Sequence, residues 1–232
     1  MSSLRTFFVM VLLGLSLSVG TLQAAEPPTS EAVQASLDKI ADRKLPEADQ
    51  KALQSVLQNT LTQLNNRRDY EQKLSDLKQL LANAPKQTIE NQRELTRLKA
   101  TSVVPVAQRF TKESIQQLEQ MLTERSTQQS DLQKALGDAN SLIITAQTRP
   151  ERAQAEISAS QTRIQQINNI LKTGKDSGKT LSAEQRDQLN AELAALNALI
   201  PLRRQELAGN TQLQDLGNSQ HDLLSEKSDR LD

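Results

Sequence analysis

Leucines and isoleucines recur along this chain at intervals of three and four, separated by Gln, Glu, Lys, Arg and Ala. That spacing gathers apolar side chains on one stripe of an α-helix and leaves the rest of its circumference polar. The first such helix follows "EPPTS", with a cap near Thr29 or Ser30. Pro46 then fits the first turn of a second helix, where a residue needs no backbone N–H partner. Its stripe is Leu53, Leu57, Leu61, Leu64, Leu74, Leu77 and Leu81. The stripe lapses at Arg67 and Arg68, which predicts a locally wet seam. Pro85 predicts the end of this helix, at about Asn83, and a shorter segment, "TIENQRELTRLKA", follows.

"TSVVPVAQRF" (101–110) is the stretch where β-branched residues and a proline come together. It predicts an extended connector lying against the bundle, with Phe110 placed as the apolar residue ahead of an N-cap at Thr111. The next helix carries Ile115, Leu118, Leu122, Leu132, Leu136, Ile143 and Ala146 on its stripe. Thr148 then offers a side-chain oxygen ahead of Pro150, and Glu151 a first-turn carboxylate. Together they predict that Pro150 opens a new helix and that the chain reverses sharply there, a kinked continuation being the alternative. The stripe restarts as Ile157, Ile164, Ile167 and Leu171. "KTGKDSGKT" (172–180) reads as a loop, and Ser182 with Gln185 as a capping box. Leu189, Leu193, Leu196 and Ile200 follow, with a kink expected at Pro201, then Leu213, Leu216, Leu223 and Leu224. The fold class is therefore all-α: several long antiparallel amphipathic helices packed as hairpins in a coiled-coil-like bundle. Its joints are expected at about residues 44–46, 84–110, 147–150 and 173–182.

Composition supports narrow seams over a thick core. Past the first 24 residues Tyr70 and Phe110 are the aromatics that remain, and there is no Trp in the chain. Aromatic rings carry much of the buried area of compact cores, whereas Ala, Leu, Gln, Glu, Lys and Arg favour long helices. At the N-terminus Arg5 precedes the apolar run "FFVMVLLGLSLSV", and "TLQAAE" places Leu22 and Ala24 at the −3 and −1 positions of a cleavage site. That pattern predicts a secretory signal peptide over 1–24 and an exported helical domain over 25–232, an uncleaved anchor being the alternative. The run is short for a bilayer span, which needs about 20 apolar residues. No cysteine follows it, so lipid anchoring, disulfides and thiol chemistry are all excluded for this chain. With 28 basic and 28 acidic residues, charge is balanced and gives no footprint for nucleic acid.

Three features invite a chemical reading. "GKDSGKT" looks like a phosphate-binding loop, yet Gly174 and Gly178 enclose three residues where the pattern needs four, and no strand precedes them. His221 is the single histidine, and its neighbour Asp222 is expected to diverge from it around a helix, leaving a solvent-facing ring. Glu113, Glu119, Glu192 and Glu206 sit among Lys and Arg at helical spacing, which predicts solvated faces and i,i+4 pairs. Paired catalytic acids need an apolar pocket that raises one pKa, and this composition offers little to build one. The expectation is a non-enzyme with no catalytic, cofactor-binding or metal residue, no cofactor and no small-molecule substrate. Membrane-lying helices favour a basic polar face with aromatics opposite; balanced charge and scarce aromatics favour helix-on-helix packing.

"TRPERAQAEISASQTRIQQINNIL" and "LRRQELAGNTQLQDLGNSQHDLL" resemble the N-terminal periplasmic region of MscK/KefA-type mechanosensitive channels of Gram-negative bacteria, the MscS porin domain. "QTRPERAQ" and "ELAGNTQLQD" are its most distinctive parts, and the resemblance runs the length of the chain. It implies a periplasmic helical domain, the N-terminal fragment of a larger, inner-membrane-associated channel, with a structural and regulatory role in osmotic downshock. Implied partners are the remainder of the channel polypeptide, its oligomeric copies and envelope components. The 232 residues hold no pore-lining helix, and no functional residue of the family maps onto them. The rival reading is a free-standing periplasmic coiled-coil adaptor or chaperone-like protein.

Overall fold

The computed structural model describes residues 26–102 and 113–231. The expected signal peptide over 1–24, most of the 101–110 connector, Phe110 and the Thr111 cap lie outside the described residues.

Helix α1 (Ser30–Asp38) starts at Thr29, whose Oγ1 accepts from the Ala32 N–H at 3.2 Å. A single 3₁₀ turn (Ala41–Arg43) and a left-handed Lys44 redirect the chain into α2 (Glu47–Ala100), for which Pro46 is the N-cap. α2 is 54 residues long, so about 80 Å. α3 (Ile115–Thr173) has 59 residues and opens with a capping box between Ser114 and Gln117, three residues after the cap expected at Thr111. Gly174, left-handed at φ 66°, ends it. A two-residue hairpin follows, with β1 (Lys175–Asp176) antiparallel to β2 (Lys179–Thr180) around Ser177 and Gly178, both at positive φ. The Ser182–Gln185 capping box then starts α4 (Ala183–Ala208), and α5 (Asn210–Asp229) continues the same leg after a break at Gly209.

Pro85, Pro150 and Pro201 all lie inside helices, so the expected helix end at Pro85 and reversal at 147–150 are both corrected. An interior proline costs about 3 kcal/mol because it removes one backbone hydrogen bond and crowds the preceding turn. Packing on both sides outweighs that cost here. Ala146 and Ala153, each 1% exposed, are held against the bundle one turn before and one turn after Pro150. Buried Leu81 and Ala84 precede Pro85, and Asn91 beyond it donates to Ser219 on α5. Thr148 does not cap: its Oγ1 donates back to the Ile144 carbonyl at 3.0 Å, as a mid-helix threonine does. The break at Gly209 had no proline to announce it.

Three legs result. α2 runs up, α3 runs down, and α4–α5 runs up between them, packed on both sides. Two-sided burial explains why α4 buries residues around most of its circumference, from Ala191, Leu193 and Ala195 to Leu199, Ile200 and Leu202. Alanines at 191 and 195 let the flanking helices approach closely. One core cluster joins Val33 and Ile40 to Leu57, Leu64 and Ala191. A second, farther along, joins Leu77 and Leu81 to Ala146, Leu202 and Leu213. The all-α class holds, as a rod of long helices with split cores.

The polar seam and the charge ladder as candidate functional site

Between the two clusters lies the interruption expected at Arg67. Counting back by fours and threes from Leu74 along the α2 stripe reaches Glu71 and then Arg67, so an ion pair stands where leucines would continue the core. Arg67 Nε donates to Glu71 at 2.8 Å, and both side chains are about half exposed. They line a groove of about 460 Å³ whose other wall is Asn190, Leu193, Asn197 and Pro201 of α4, closed at one end by Pro27. An exposed pair of this kind contributes at most about 1 kcal/mol and is screened by salt. The α2–α4 seam is therefore closed by apolar clusters at both ends and open in its middle.

The α3–α4 seam is built in the opposite way. Arg149, Glu156 and Arg163 stand seven residues apart on α3 and meet Glu206, Arg203 and Glu192 in antiparallel order. Arg163 grips Glu192 with two hydrogen bonds, 2.6 and 2.9 Å. Arg203 donates to Glu156 across the seam and, at 2.9 and 3.0 Å, to Glu206 on its own helix, while Arg149 approaches Glu206 at 3.5 Å. The signs run plus, minus, plus on α3 against minus, plus, minus on α4. A slip of one heptad would bring Arg149 to Arg203, so the ladder fixes register by repulsion as well as attraction. Hydrogen bonding to Glu192 raises the Arg163 pKa despite partial burial. Burial works against the Arg203 charge, but its bonds to Glu206 and Glu156 outweigh it and raise that pKa too.

These acids correct one expectation. Glu192 and Glu206 are not solvated: Glu206 is only 5% exposed, and both acids pair with arginines across the α3–α4 seam. Glu113 and Glu119 do lie on exposed surface. The ladder was missed because the pairs are 29 and 47 residues apart in sequence. The heptad spacing of Arg149, Glu156 and Arg163 was the signal that could have found it. His221 Nδ1 lies 3.6 Å from Asp222 Oδ1, so these neighbours converge rather than diverge; their side chains bend toward each other although their Cβ bonds point about 100° apart. Gly174 and Gly178 bracket the exposed hairpin, preceded by a helix and not by the strand a phosphate loop needs. Among the described residues no cluster of three His, Cys, Asp or Glu could hold a metal, and no helix is long and apolar enough to cross a membrane.

The rod thus has one seam bridged by ion pairs and one interrupted by an open groove. The chain belongs to the family described as the mechanosensitive ion channel porin domain, whose model matches residues 36–232. The mechanosensitive channel MscK of Escherichia coli K12 is 31% identical over 207 residues, 88% of this chain and 18% of that protein. An uncharacterized MscS family protein of Haemophilus influenzae Rd is 28% identical over 222 residues, 94% of this chain and 19% of that protein. The chain thus spans under a fifth of the length of these curated relatives. No solved structure matches it.

Proposed function

We propose that the chain is the exported, periplasmic helical domain of an MscS-superfamily mechanosensitive channel, with a structural and regulatory role in the response to osmotic downshock. Family membership carries this reading, and the leader-like residues 1–24 support export. Its partners are the remainder of the channel polypeptide and its oligomeric copies. The α3–α4 pair moves as one locked unit, and displacement falls on the α2–α4 seam, where Arg67 and Glu71 interrupt the core. Its work is mechanical and non-catalytic. The named relative is a channel, which favours this reading over a free-standing adaptor or chaperone.

In-frame removal of residues 30–231 from the full channel tests it. The expected outcome is a shifted gating tension in excised patches and altered survival of downshock at equal channel abundance. Unchanged gating and survival would overturn the proposal.

A further inference from the structure

The stripe of α3 that packs on α5 does not stop where α5 stops. Ala146, Ile143, Ala139, Leu136 and Leu132 descend along that interface at intervals of three and four, and they are buried or half-buried. The same stripe continues to Leu122, Leu118 and Ile115, which are 70%, 37% and 76% exposed. α5 ends beside them. Arg125 Nη1 donates to the Leu231 carbonyl at 2.6 Å, and Arg230 Nη1 to the Thr101 carbonyl at 3.1 Å. Residues 115–124 of α3 therefore project about 15 Å past the last pairing with α5. At their base an open trough of about 560 Å³, mostly apolar, is lined by Leu98, Leu132, Ala135 and Leu231 with Lys227 and Arg230 at its edge.

Register says what reaches this face. Gly217 abuts Ile143 and Leu231 abuts Arg125, so α5 and α3 pair antiparallel with their residue numbers summing to nearly the same value. The polypeptide that leaves α5 after Asp229 meets Arg125 at Leu231, about one helical turn from Leu122. The chain covers 18–19% of the length of its curated relatives, so most of each relative lies outside the matched region. We propose that the roughly ten residues following position 232 in the full-length protein form a helical continuation of this leg that covers Ile115, Leu118 and Leu122. This rests on the reading above, that the chain is part of a longer channel polypeptide. The overhang is then an internal docking face that joins this domain to the next one.

Photo-cross-linking in the full-length channel tests it, with p-benzoylphenylalanine in place of Leu122 and, separately, of Leu118, in a mixture of isotopically heavy and light copies. The expected result is a heavy–heavy or light–light adduct on a peptide from the first thirty or so residues after 232, at both positions. Mixed heavy–light adducts would assign the face to a second copy and overturn the proposal. So would adducts on residues 101–112, or no protein adduct at either position. A gene product that ends at residue 232 would remove the occupant and the channel reading together. A longer product with adducts elsewhere overturns the docking alone.

Discussion

At the scale of single residues, the side chains that matter most are those whose partners sit far away in sequence. Glu206 looks like one more helix-surface acid, with arginines at 203 and 204 and a glutamine at 205. Its burial comes from α4 being enclosed between two other helices, which no local pattern reveals. The interruption at Arg67 was legible for the converse reason: a gap in a leucine stripe is visible within one helix, although its partner Glu71 was not named. The buried acid gives a sharp prediction. Glu206→Gln leaves Arg203 facing a neutral amide in a nearly closed site, although Glu156 still compensates it. Breaking a fully buried pair costs about 3–5 kcal/mol, and the retained Glu156 bond should reduce this to about 2 kcal/mol. Urea unfolding of the domain measures it. A loss below about 0.5 kcal/mol would show that the Glu206 contact is not integral to the seam.

At the scale of elements, local chemistry read true where it acts within one turn. The Thr29 cap, the Ser182–Gln185 box and the glycine loop at 174–178 are all governed by groups within four residues of each other. Pro85 and Pro150 read false because their outcome is decided by what packs on each side of them. Pro150 has Ala146 and Ala153 pressed into the bundle, and Arg149 reaching across to Glu206. The element boundary that matters in the C-terminal leg falls at Gly209, for a steric reason. A Cβ built there would lie 2.4 Å from Leu81 Cδ1, and Leu81 is itself buried, so the side chain has little room to yield. Backbone strain does not enter, because Gly209 sits at φ −90°. Gly209→Ala should cost about 1–3 kcal/mol by overpacking, in spite of the higher helix propensity of alanine. In a double-mutant cycle with Leu81→Ala the two losses should sum to more than the double variant shows, since the new methyl group occupies space the leucine vacates. Strictly additive losses would place the close approach elsewhere.

At the scale of the whole molecule, the two seams divide the labour. The α3–α4 ladder sets an ion-pair partner every seven residues along α3 and resists sliding. The α2–α4 seam has two apolar clusters with an open groove between them. Protein cores are close-packed and shift between discrete arrangements more readily than they stretch. A seam interrupted by an open groove and a weak ion pair is where such a shift meets least resistance. The all-α class, the extended stripes and the interruption at Arg67 could be read from periodicity alone. The order of the legs, with the last one in the middle, could not, because α2 and α3 present similar stripes and neither names its partner.

The measurement that bears most directly on this account is the gating tension of the full channel when the seam is bridged. Arg67→Cys on α2 and Asn197→Cys on α4 both fall on the lining of the groove, and the chain has no cysteine of its own to compete. A cleavable bifunctional maleimide would pin the two helices together. The account predicts that bridging shifts the threshold tension in excised patches and that cleaving the linker restores it. An identical threshold in the bridged and cleaved states would contradict it.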